Sequence, residues 1–301
     1  MGTWSFLNMP RWLLFALLTV VLWGGWGFAS RELGEALSGE QTLVISTLAM
    51  LPVMGVLAAR RSPPTGRAGR GMAVALAGGL FGGAGNLAFY RLLNGGEKAA
   101  TTVSLTALYP LVTVVLALLF LRERINLAQL GGIALALAAI FFFNVGREAA
   151  FWNKWLAFAL LPLAFWGVAA LFQKISTRDL AADRSCLWFL LGYLPVVLFV
   201  LLTAPMKRNL SLNIWLWALA LGLLLGLGNL TVLAAYAGNG KASIITPLSG
   251  LYPVVTVPLA ILFLHEKVSL REWIGIGLSF AAVAALSCEK QPTPSASETK
   301  T

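Results

Sequence analysis

The side chains with the most chemical potential in this sequence are uncharged hydroxyl, amide and indole groups within long apolar segments. Two stretches carry them most clearly, ALYPLVTVVLALLFLRER at 107–124 and GLYPVVTVPLAILFLHEK at 250–267, which are identical at twelve of eighteen positions. Their hydroxyls, with those just before them, recur at the spacing of one helix face. The residues are Thr102, Thr106, Tyr109 and Thr113 in the first copy and Ser249, Tyr252 and Thr256 in the second.

A hydroxyl stripe on an apolar helix is expected to face the protein interior, because lipid offers no hydrogen-bond partner. It predicts either contact with a substrate or hydrogen bonding between helices. Pro110 and Pro253 each lack an N–H and free the backbone carbonyl four residues earlier, at Thr106 and Ser249. Such carbonyls are tolerated in a membrane only where they are buried or face a cavity. Thr106, Tyr109, Ser249 and Tyr252 are therefore candidate substrate-binding residues.

Amide and indole groups extend this candidate set. Asn86 and Tyr90 share one face of a helix, and Asn229 follows Asn86 at the same offset that separates the two stretches. Buried asparagine either binds helices together or contacts a substrate. Trp23 and Trp166 each precede a glycine, and they either anchor the helix at the membrane interface or form a flat wall for an aromatic or apolar ligand.

Glu123 and Glu266 end the two repeated stretches, each beside basic residues. They are candidate gate residues that pair when their side of the membrane is closed, or else links that cap the loop entering the next helix. His265 is the only histidine. One histidine at a membrane edge is no metal site, and we expect neither a metal nor a cofactor.

The composition places these residues in a membrane. Of the 301 residues, 58% are hydrophobic and 11% are charged, whereas soluble domains carry about 25% charged residues. Most uncharged stretches have the roughly 17–25 residues that a spanning helix needs. They are 12–30, 41–59, 71–90, 99–121, 125–146, 155–173, 185–206, 209–240, 242–265 and 273–288. The sequence thus predicts ten transmembrane helices and an all-α, polytopic membrane protein.

The chain repeats itself at an offset of 143 residues without a gap, because Trp23-Gly24, Pro52 and Asn86 recur as Trp166-Gly167, Pro195 and Asn229. Each unit holds five predicted helices, at 12–146 and 155–288. Since five is odd, the second unit must enter the membrane in the opposite sense, as in the inverted repeats of many transporters. Equivalent helices then face each other across the middle of the membrane.

The distribution of Lys and Arg favours cytoplasmic termini, since more of them fall in loops on the side of the two ends. We expect a multi-pass protein of the cell inner (plasma) membrane whose polar tail, 289–301, is disordered and cytoplasmic. The net charge of +10 is scattered over short loops, so nucleic acid is not an expected partner. The expected partners are a small-molecule substrate and membrane lipids, and the protein is expected to be a monomer or a weak homodimer.

Acidic and basic residues fall in loops or at helix ends rather than at a predicted bilayer centre. A proton or sodium relay usually needs an intramembrane carboxylate, so the pattern favours a facilitator or exchanger. Two alternatives remain open: a flippase for lipid-linked substrates, and a membrane-embedded enzyme acting on lipids. The sequence offers an enzyme neither His-Glu-x-x-His nor paired intramembrane aspartates, and we expect no enzymatic activity.

Over residues 12–288 the chain resembles the EamA-type branch of the drug/metabolite transporter superfamily. The resemblance rests on the duplicated five-helix unit, the Trp-Gly of each first helix and the Tyr-Pro stretch ending in Phe-Leu-x-Glu. It implies a carrier of small metabolites, often an exporter of amino acids or related compounds. Its cavity is expected to be lined by the first, third and fourth helices of each unit. By position these are Trp23, Asn86, Tyr90, Tyr109, Trp166, Asn229 and Tyr252.

Overall fold

The computed structural model describes residues 10–60, 62–121, 126–144, 154–238, 242–286 and 288. Fourteen helices make up the regular structure of these residues, and they confirm the all-α fold class. They are α1 (Arg11–Ala36), α2 (Gly39–Ala49), α3 (Leu51–Ala59), α4 (Ala68–Asn94), α5 (Ala99–Thr106), α6 (Tyr109–Leu121), α7 (Leu127–Asn144), α8 (Lys154–Ser176), α9 (Ala182–Leu191), α10 (Leu194–Thr203), α11 (Leu212–Ala237), α12 (Ala242–Ser249), α13 (Pro253–Phe263) and α14 (Leu270–Leu286). The predicted tail 289–301 lies outside the described residues.

Within the described residues, eight helical units are long and apolar enough to cross a membrane. Four of them are single helices, α1, α4, α8 and α11, and four are the consecutive pairs α2–α3, α5–α6, α9–α10 and α12–α13. The apolar helices α7 and α14 are shorter, at 18 and 17 residues, and they pack against each other. With these two, the part of the chain that the structure describes contains ten membrane helices, arranged as two inverted five-helix repeats.

The outer surface of the bundle is apolar, as a surface in contact with lipid must be. Large hydrophobic side chains are exposed along the helices, including Leu198, Phe199 and Leu202 on α10 and Leu262 and Phe263 at the end of α13. A soluble monomer rarely exposes contiguous apolar surface of this extent. The core, in contrast, contains buried hydroxyl and amide groups, so the polarity pattern is that of a membrane protein.

Proline explains why four of the spanning units are divided. In each of them the first helix ends three or four residues before a proline, at Pro52, Pro110, Pro195 and Pro253. The proline cannot donate to the carbonyl four residues back, so the hydrogen-bond ladder is interrupted there. The carbonyls predicted to be freed belong to Thr106 and Ser249, and α5 and α12 end at these two residues.

The two repeats hold each other through reciprocal hydrogen bonds. The Thr256 hydroxyl near the start of α13 donates to the Gly24 carbonyl of α1 at 2.7 Å. The Thr113 hydroxyl of α6 donates to the Gly167 carbonyl of α8 at 3.0 Å. Each bond joins the first helix of one repeat to the fourth unit of the other, so both copies of the contact are made.

Glycine is required at these crossings because the helices approach too closely for a side chain. A Cβ at Gly167 would lie 2.5 Å from Val112 Cβ and 2.9 Å from the Tyr109 carbonyl oxygen. A Cβ at Gly24 would overlap Val255 in the equivalent contact of the other half. The same close approach therefore occurs at both crossings.

Candidate functional site

A cavity lies between the two repeats, and the empty space within it and at its opening together is about 480 Å³. Its walls come from α1, α4 and Tyr109 of the first repeat and from α8, α9, α11 and Tyr252 of the second. The lining residues are Trp23, Trp26, Gly82, Asn86, Tyr109, Trp166, Ala169, Ala170, Gln173, Phe189, Tyr193, Leu225, Asn229 and Tyr252. None of these side chains is a carboxylate, an ammonium or a guanidinium.

Aromatic rings form much of the wall and fix one another by edge contacts. Trp26 meets Trp166 of the other repeat with ring centroids 5.6 Å apart and planes at 69°. Trp23 meets Tyr252, also across the repeat boundary, at 6.4 Å and 86°. Edge-to-face packing is favourable because the positive edge of one ring meets the negative face of the next. The cavity therefore offers apolar, rigid surfaces to a ligand.

The two tyrosines are held by hydroxyls of the opposite repeat. Tyr109 Oη lies 2.7 Å from Ser249 Oγ and donates to the Thr246 carbonyl at 3.2 Å. Tyr252 Oη lies 3.2 Å from Thr106 Oγ1. Each Tyr-Pro stretch thus extends its ring into the cavity while its hydroxyl binds the helix break of its counterpart. The hydroxyl stripe was predicted either to join helices or to contact a substrate. These bonds make the two compatible, because the stripe joins helices and also positions the rings that line the cavity.

Amide side chains complete the polar part of the wall. Trp166 Nε1 donates to Asn86 Oδ1 at 2.9 Å. Gln173 Nε2 donates to Asn229 Oδ1, also at 2.9 Å, and Asn229 Nδ2 donates to the Leu225 carbonyl at 2.9 Å. Hydrogen bonds among buried amides fix their rotamers and keep the wall rigid.

Six of the nine predicted substrate-binding residues line this cavity: Trp23, Asn86, Tyr109, Trp166, Asn229 and Tyr252. The other three lie behind the wall. Tyr90 accepts a hydrogen bond from Trp26 Nε1 at 3.0 Å, and Thr106 and Ser249 support the two tyrosines. Their contacts are with the lining side chains rather than with the open space.

The lining also contains residues that the sequence did not single out as binding residues. Gln173 aligns with Ser30 at the repeat offset, Tyr193 aligns with Met50, and Ala169 aligns with Trp26. Their identities differ between the two copies, so a comparison of the repeats gave them no weight. A polar residue such as Gln173 at the end of the uncharged apolar stretch 155–173 was the available signal.

Glu266, one of the two candidate gate residues, caps a helix of the other repeat. Its two carboxylate oxygens accept hydrogen bonds from the Ala99 and Ala100 N–H groups at 2.7 and 3.0 Å. These N–H groups begin α5 and have no partner within that helix. The carboxylate also lies 3.8 Å from Arg31 Nε, and its side chain is 8% exposed. Glu123, the matching residue, lies outside the described residues.

The backbone just before Glu266 is shaped to deliver this carboxylate. His265 has φ of 51°, the left-handed conformation that commonly ends helices. The Glu266 N–H bonds back to the Ala260 carbonyl of α13 at 3.3 Å. The chain therefore reverses at the end of α13, and the carboxylate points to the start of α5.

A second ionic contact lies beside this cap. Lys98 Nζ donates to both carboxylate oxygens of Glu272, at 2.9 and 2.7 Å, and Thr101 Oγ1 donates to the same carboxylate at 3.0 Å. The residue equivalent to Glu272 in the first repeat is Gln129, which bonds reciprocally with Asn126 at 2.8 and 3.2 Å. The same turn is thus charged at one end of the bundle and neutral at the other.

An aromatic and amide-lined cavity at the interface of two inverted repeats, inside a bundle of membrane helices, defines a multi-pass membrane transporter. The chain belongs to the EamA-like transporter family, which matches residues 10–145 and again residues 153–288. This agrees with the resemblance to the drug/metabolite transporter superfamily. The family points to a transporter rather than to an enzyme.

The chain is also similar to three other proteins and to a solved structure. An uncharacterised protein of Methanocaldococcus jannaschii is 32% identical over 132 residues, which are 42% of this chain and 92% of that protein. An "Uncharacterized transporter in cobO 3'region" of a Sinorhizobium species is 30% identical over 44% of this chain and 95% of its own length. Both relatives are therefore about as long as one repeat.

The match to the third relative is longer than one repeat and therefore includes parts of both. A "Probable terminal-alkyne amino-acid exporter" of Streptantibioticus cattleyicolor is 30% identical over 217 residues, 68% of this chain and 70% of that protein. A protein crystal structure superposes with a TM-score of 0.64 at 19% identity, covering 90% of this chain and 94% of the other. That similarity supports the fold.

Proposed function

We propose that this transporter exports amino acids or related small metabolites, including aromatic or amphipathic ones, by alternating access of its two inverted repeats. The observation that carries the proposal is the cavity between the repeats, to which both contribute aromatic and amide side chains. Pockets for small ligands combine apolar walls with a few placed polar groups. The name of the Streptantibioticus relative, an amino-acid exporter, supports the substrate class.

Alternating access requires contacts that can exchange between the two sides of the membrane. At the reciprocal crossings at Gly24 and Gly167, each repeat makes the same hydrogen bond to the other. A rocking motion about the cavity would open one end as it closes the opposite end. We place both termini in the cytoplasm and the protein in the inner (plasma) membrane, as a monomer or a weak homodimer.

Transport is proposed to be facilitated diffusion or exchange. The lining contains no carboxylate that could take up a proton in mid-membrane, and proton relays generally need one. The substrate's own gradient, or that of an exchanged metabolite, would then drive net movement.

The test is flux in proteoliposomes loaded with a panel of radiolabelled amino acids. Ala169→Trp places an indole at the position that is equivalent to Trp26 of the other repeat, and it should block flux by filling the cavity. Ala157→Trp, on the exposed face of the same helix, is the matched control and should retain flux. The proposal fails if no amino acid moves faster than in protein-free liposomes, or if Ala169→Trp transports as well as Ala157→Trp.

Direction is tested separately in cells. Cells that express the protein and are fed a dipeptide should release the liberated amino acid faster than cells expressing Ala169→Trp. Equal release by both strains would contradict an exporter.

A further inference from the structure

Two loops from opposite repeats meet at the end of the bundle where α4 begins. The first, 60–70, leads from α3 into α4, and the second, 174–184, leads from α8 into α9. The Thr65 N–H donates to the Asp179 carbonyl at 3.1 Å, which joins the two loops. The far end of α4 lies at the opposite side of the bundle, which is the end that contains Glu266.

The charge of these two loops is not repeated at the Glu266 end. Loops 60–70 and 174–184 together hold seven Lys or Arg and two Asp, a net charge of +5. The equivalent loops, 31–41 and 203–213, hold three basic and three acidic residues and are neutral. They also meet each other, because Gln41 Nε2 donates to the Lys207 carbonyl at 2.7 Å. The bundle therefore makes the same loop contact twice, once with a large positive charge and once without.

The two carboxylates of the positive end are buried and hold the loops together. Asp179 and Asp183 are each 8% exposed. Asp179 Oδ1 accepts from the Arg67 N–H at the start of α4, at 3.0 Å. The Asp183 carboxylate accepts from the Ser62 hydroxyl of the other loop and from the Arg184 N–H. The acidic groups of these loops therefore face the protein.

The basic side chains of the same loops face outward. Arg70 Nε lies 3.7 Å from Asp179 Oδ2, yet the Arg70 side chain is still 56% exposed. The other described bases of the two loops are exposed or partly exposed. Together they form a basic surface that consists of Arg60, Arg67, Arg70, Lys174, Arg178 and Arg184.

Apolar side chains lie one helical turn into the membrane from this basic surface. Val56 precedes Arg60 by four residues on α3 and is 60% exposed. Trp188 follows Arg184 by four residues on α9 and is partly exposed. Residues four apart share a helix face, and tryptophan is enriched at the level of lipid headgroups. Both helices thus present a guanidinium next to apolar surface, which suits a phospholipid better than a free anion.

We propose that this basic surface binds the phosphate headgroup of an anionic phospholipid such as phosphatidylglycerol, with the acyl chains along α3 and α9. Arginine suits this ligand because its planar fork can donate to two phosphate oxygens at once. The surface takes side chains from both repeats, so one layer of headgroups contacts both. The site is separate from the cavity and does not depend on which substrate the protein carries.

Three probes separate the lipid from its charge and from its phosphate: dihexanoyl phosphatidylglycerol, dihexanoyl phosphatidylcholine and glycerol 3-phosphate. Isothermal titration of the purified full-length protein in a non-ionic detergent should give the phosphatidylglycerol a Kd at least tenfold lower than that of either other probe. Equal affinity for the two lipids would overturn recognition of the anionic headgroup. Equal affinity for glycerol 3-phosphate would assign the surface to a free phosphate anion and would overturn the lipid.

Two double variants form a matched pair that removes the same charge from opposite ends. Arg60→Gln with Arg178→Gln changes exposed side chains of the basic surface. Each removed charge should weaken binding about fivefold, so the affinity for phosphatidylglycerol should fall at least tenfold. Arg208→Gln with Lys267→Gln changes two exposed bases of the Glu266 end and should leave that affinity within a few-fold of wild type. Equal losses in both variants, or no loss in the first, would overturn the site.

Salt provides a check on the unaltered protein. Screening shortens the reach of exposed charges, from about 10 Å at 0.1 M salt to about 3 Å at 1 M. The affinity ratio of phosphatidylglycerol to phosphatidylcholine should therefore fall several-fold between these two concentrations. A ratio that does not change with salt would contradict binding by exposed arginines.

Discussion

Replacing Glu266 by glutamine tests whether the cap on α5 holds one end of the bundle closed. The carboxylate accepts from two backbone N–H groups through two different oxygens and lies near Arg31. Glutamine has one such oxygen, so one N–H loses its acceptor and the attraction to the helix N-terminus and to Arg31 is lost. Loss of a cap costs about 0.5–2 kcal/mol, and the helix dipole contributes about 0.3–1 kcal/mol more.

The two ranges sum to about 0.8–3 kcal/mol. The central part of that range, roughly 1–2 kcal/mol, corresponds to a factor of about 5–30 in an equilibrium. In the open state water would solvate the same N–H groups, so the cost falls on the closed state. We therefore expect the population open at this end to rise by that factor in Glu266→Gln.

The assay is the labelling rate of a cysteine placed in the cavity wall. Ala169→Cys is a suitable reporter in a Cys288→Ser background, because Ala169 lines the cavity and the native Cys186 is buried. A membrane-impermeant maleimide applied from the Glu266 side should react about 5–30 times faster in Glu266→Gln. Applied from the other side, it should react no faster.

Glu35→Gln is the control for this experiment. Glu35 also pairs with Arg31, at 3.2 Å, but its side chain is 61% exposed. An exposed ion pair contributes little, about 0–1 kcal/mol, so labelling should stay within a few-fold of wild type. Equal labelling rates in Glu266→Gln and Glu35→Gln from the Glu266 side would refute the gating role and leave Glu266 as a structural cap.

Three further predictions concern contacts between the two repeats. Tyr109→Phe and Tyr252→Phe each remove a hydroxyl that is hydrogen-bonded across the repeats, and each lost bond contributes about 1 kcal/mol. Both variants should lower liposome flux at normal expression. Unchanged flux in both would remove the two tyrosines from the site. Gly167→Ala should lower stability by about 1–3 kcal/mol through overpacking in thermal unfolding in detergent. Gly55→Ala, where a Cβ meets nothing within 4 Å, should be neutral or stabilising, and equal melting temperatures would contradict the close crossing. Glu272→Gln replaces a carboxylate that is bonded to a lysine, so the free energy of unfolding should fall by about 1.5–3 kcal/mol in the same experiment. Wild-type stability in both low and high salt would show that this pair is dispensable.

Much of the fold was predictable because charge and repetition are one-dimensional signals. The uncharged stretches predicted ten helices, and an odd number of helices per unit predicted the inversion. Pro110 and Pro253 predicted where α5 and α12 end. The breaks before Pro52 and Pro195 carried the same signal, since these prolines are also equivalent in the two repeats, but were not predicted.

The candidate site was predictable only where the two copies agree. Asn86 and Asn229 could be predicted because they recur at the repeat offset, and both line the cavity. Gln173 was not predicted, because its counterpart is a serine. Which residue reaches the open space and which stands behind it, as Thr106 stands behind Tyr252, depends on how far the helices separate after each proline. Helical periodicity places residues on a face but does not give that distance. The role of each lining residue in binding stays a prediction.

The pairing of the first helix with the last third of the chain has a consequence for synthesis. Thr19 of α1 bonds Thr231, 212 residues later, at 2.8 Å, and the Gly24 carbonyl accepts from a threonine 232 residues later. A ribosome that adds about 5–20 residues per second needs roughly 10–45 s to make these partners. During that time α1 lies in the bilayer without its contacts to Thr231 and Thr256. The Thr19 hydroxyl can be satisfied during this time, because it also donates to the Phe15 carbonyl of its own helix at 2.8 Å.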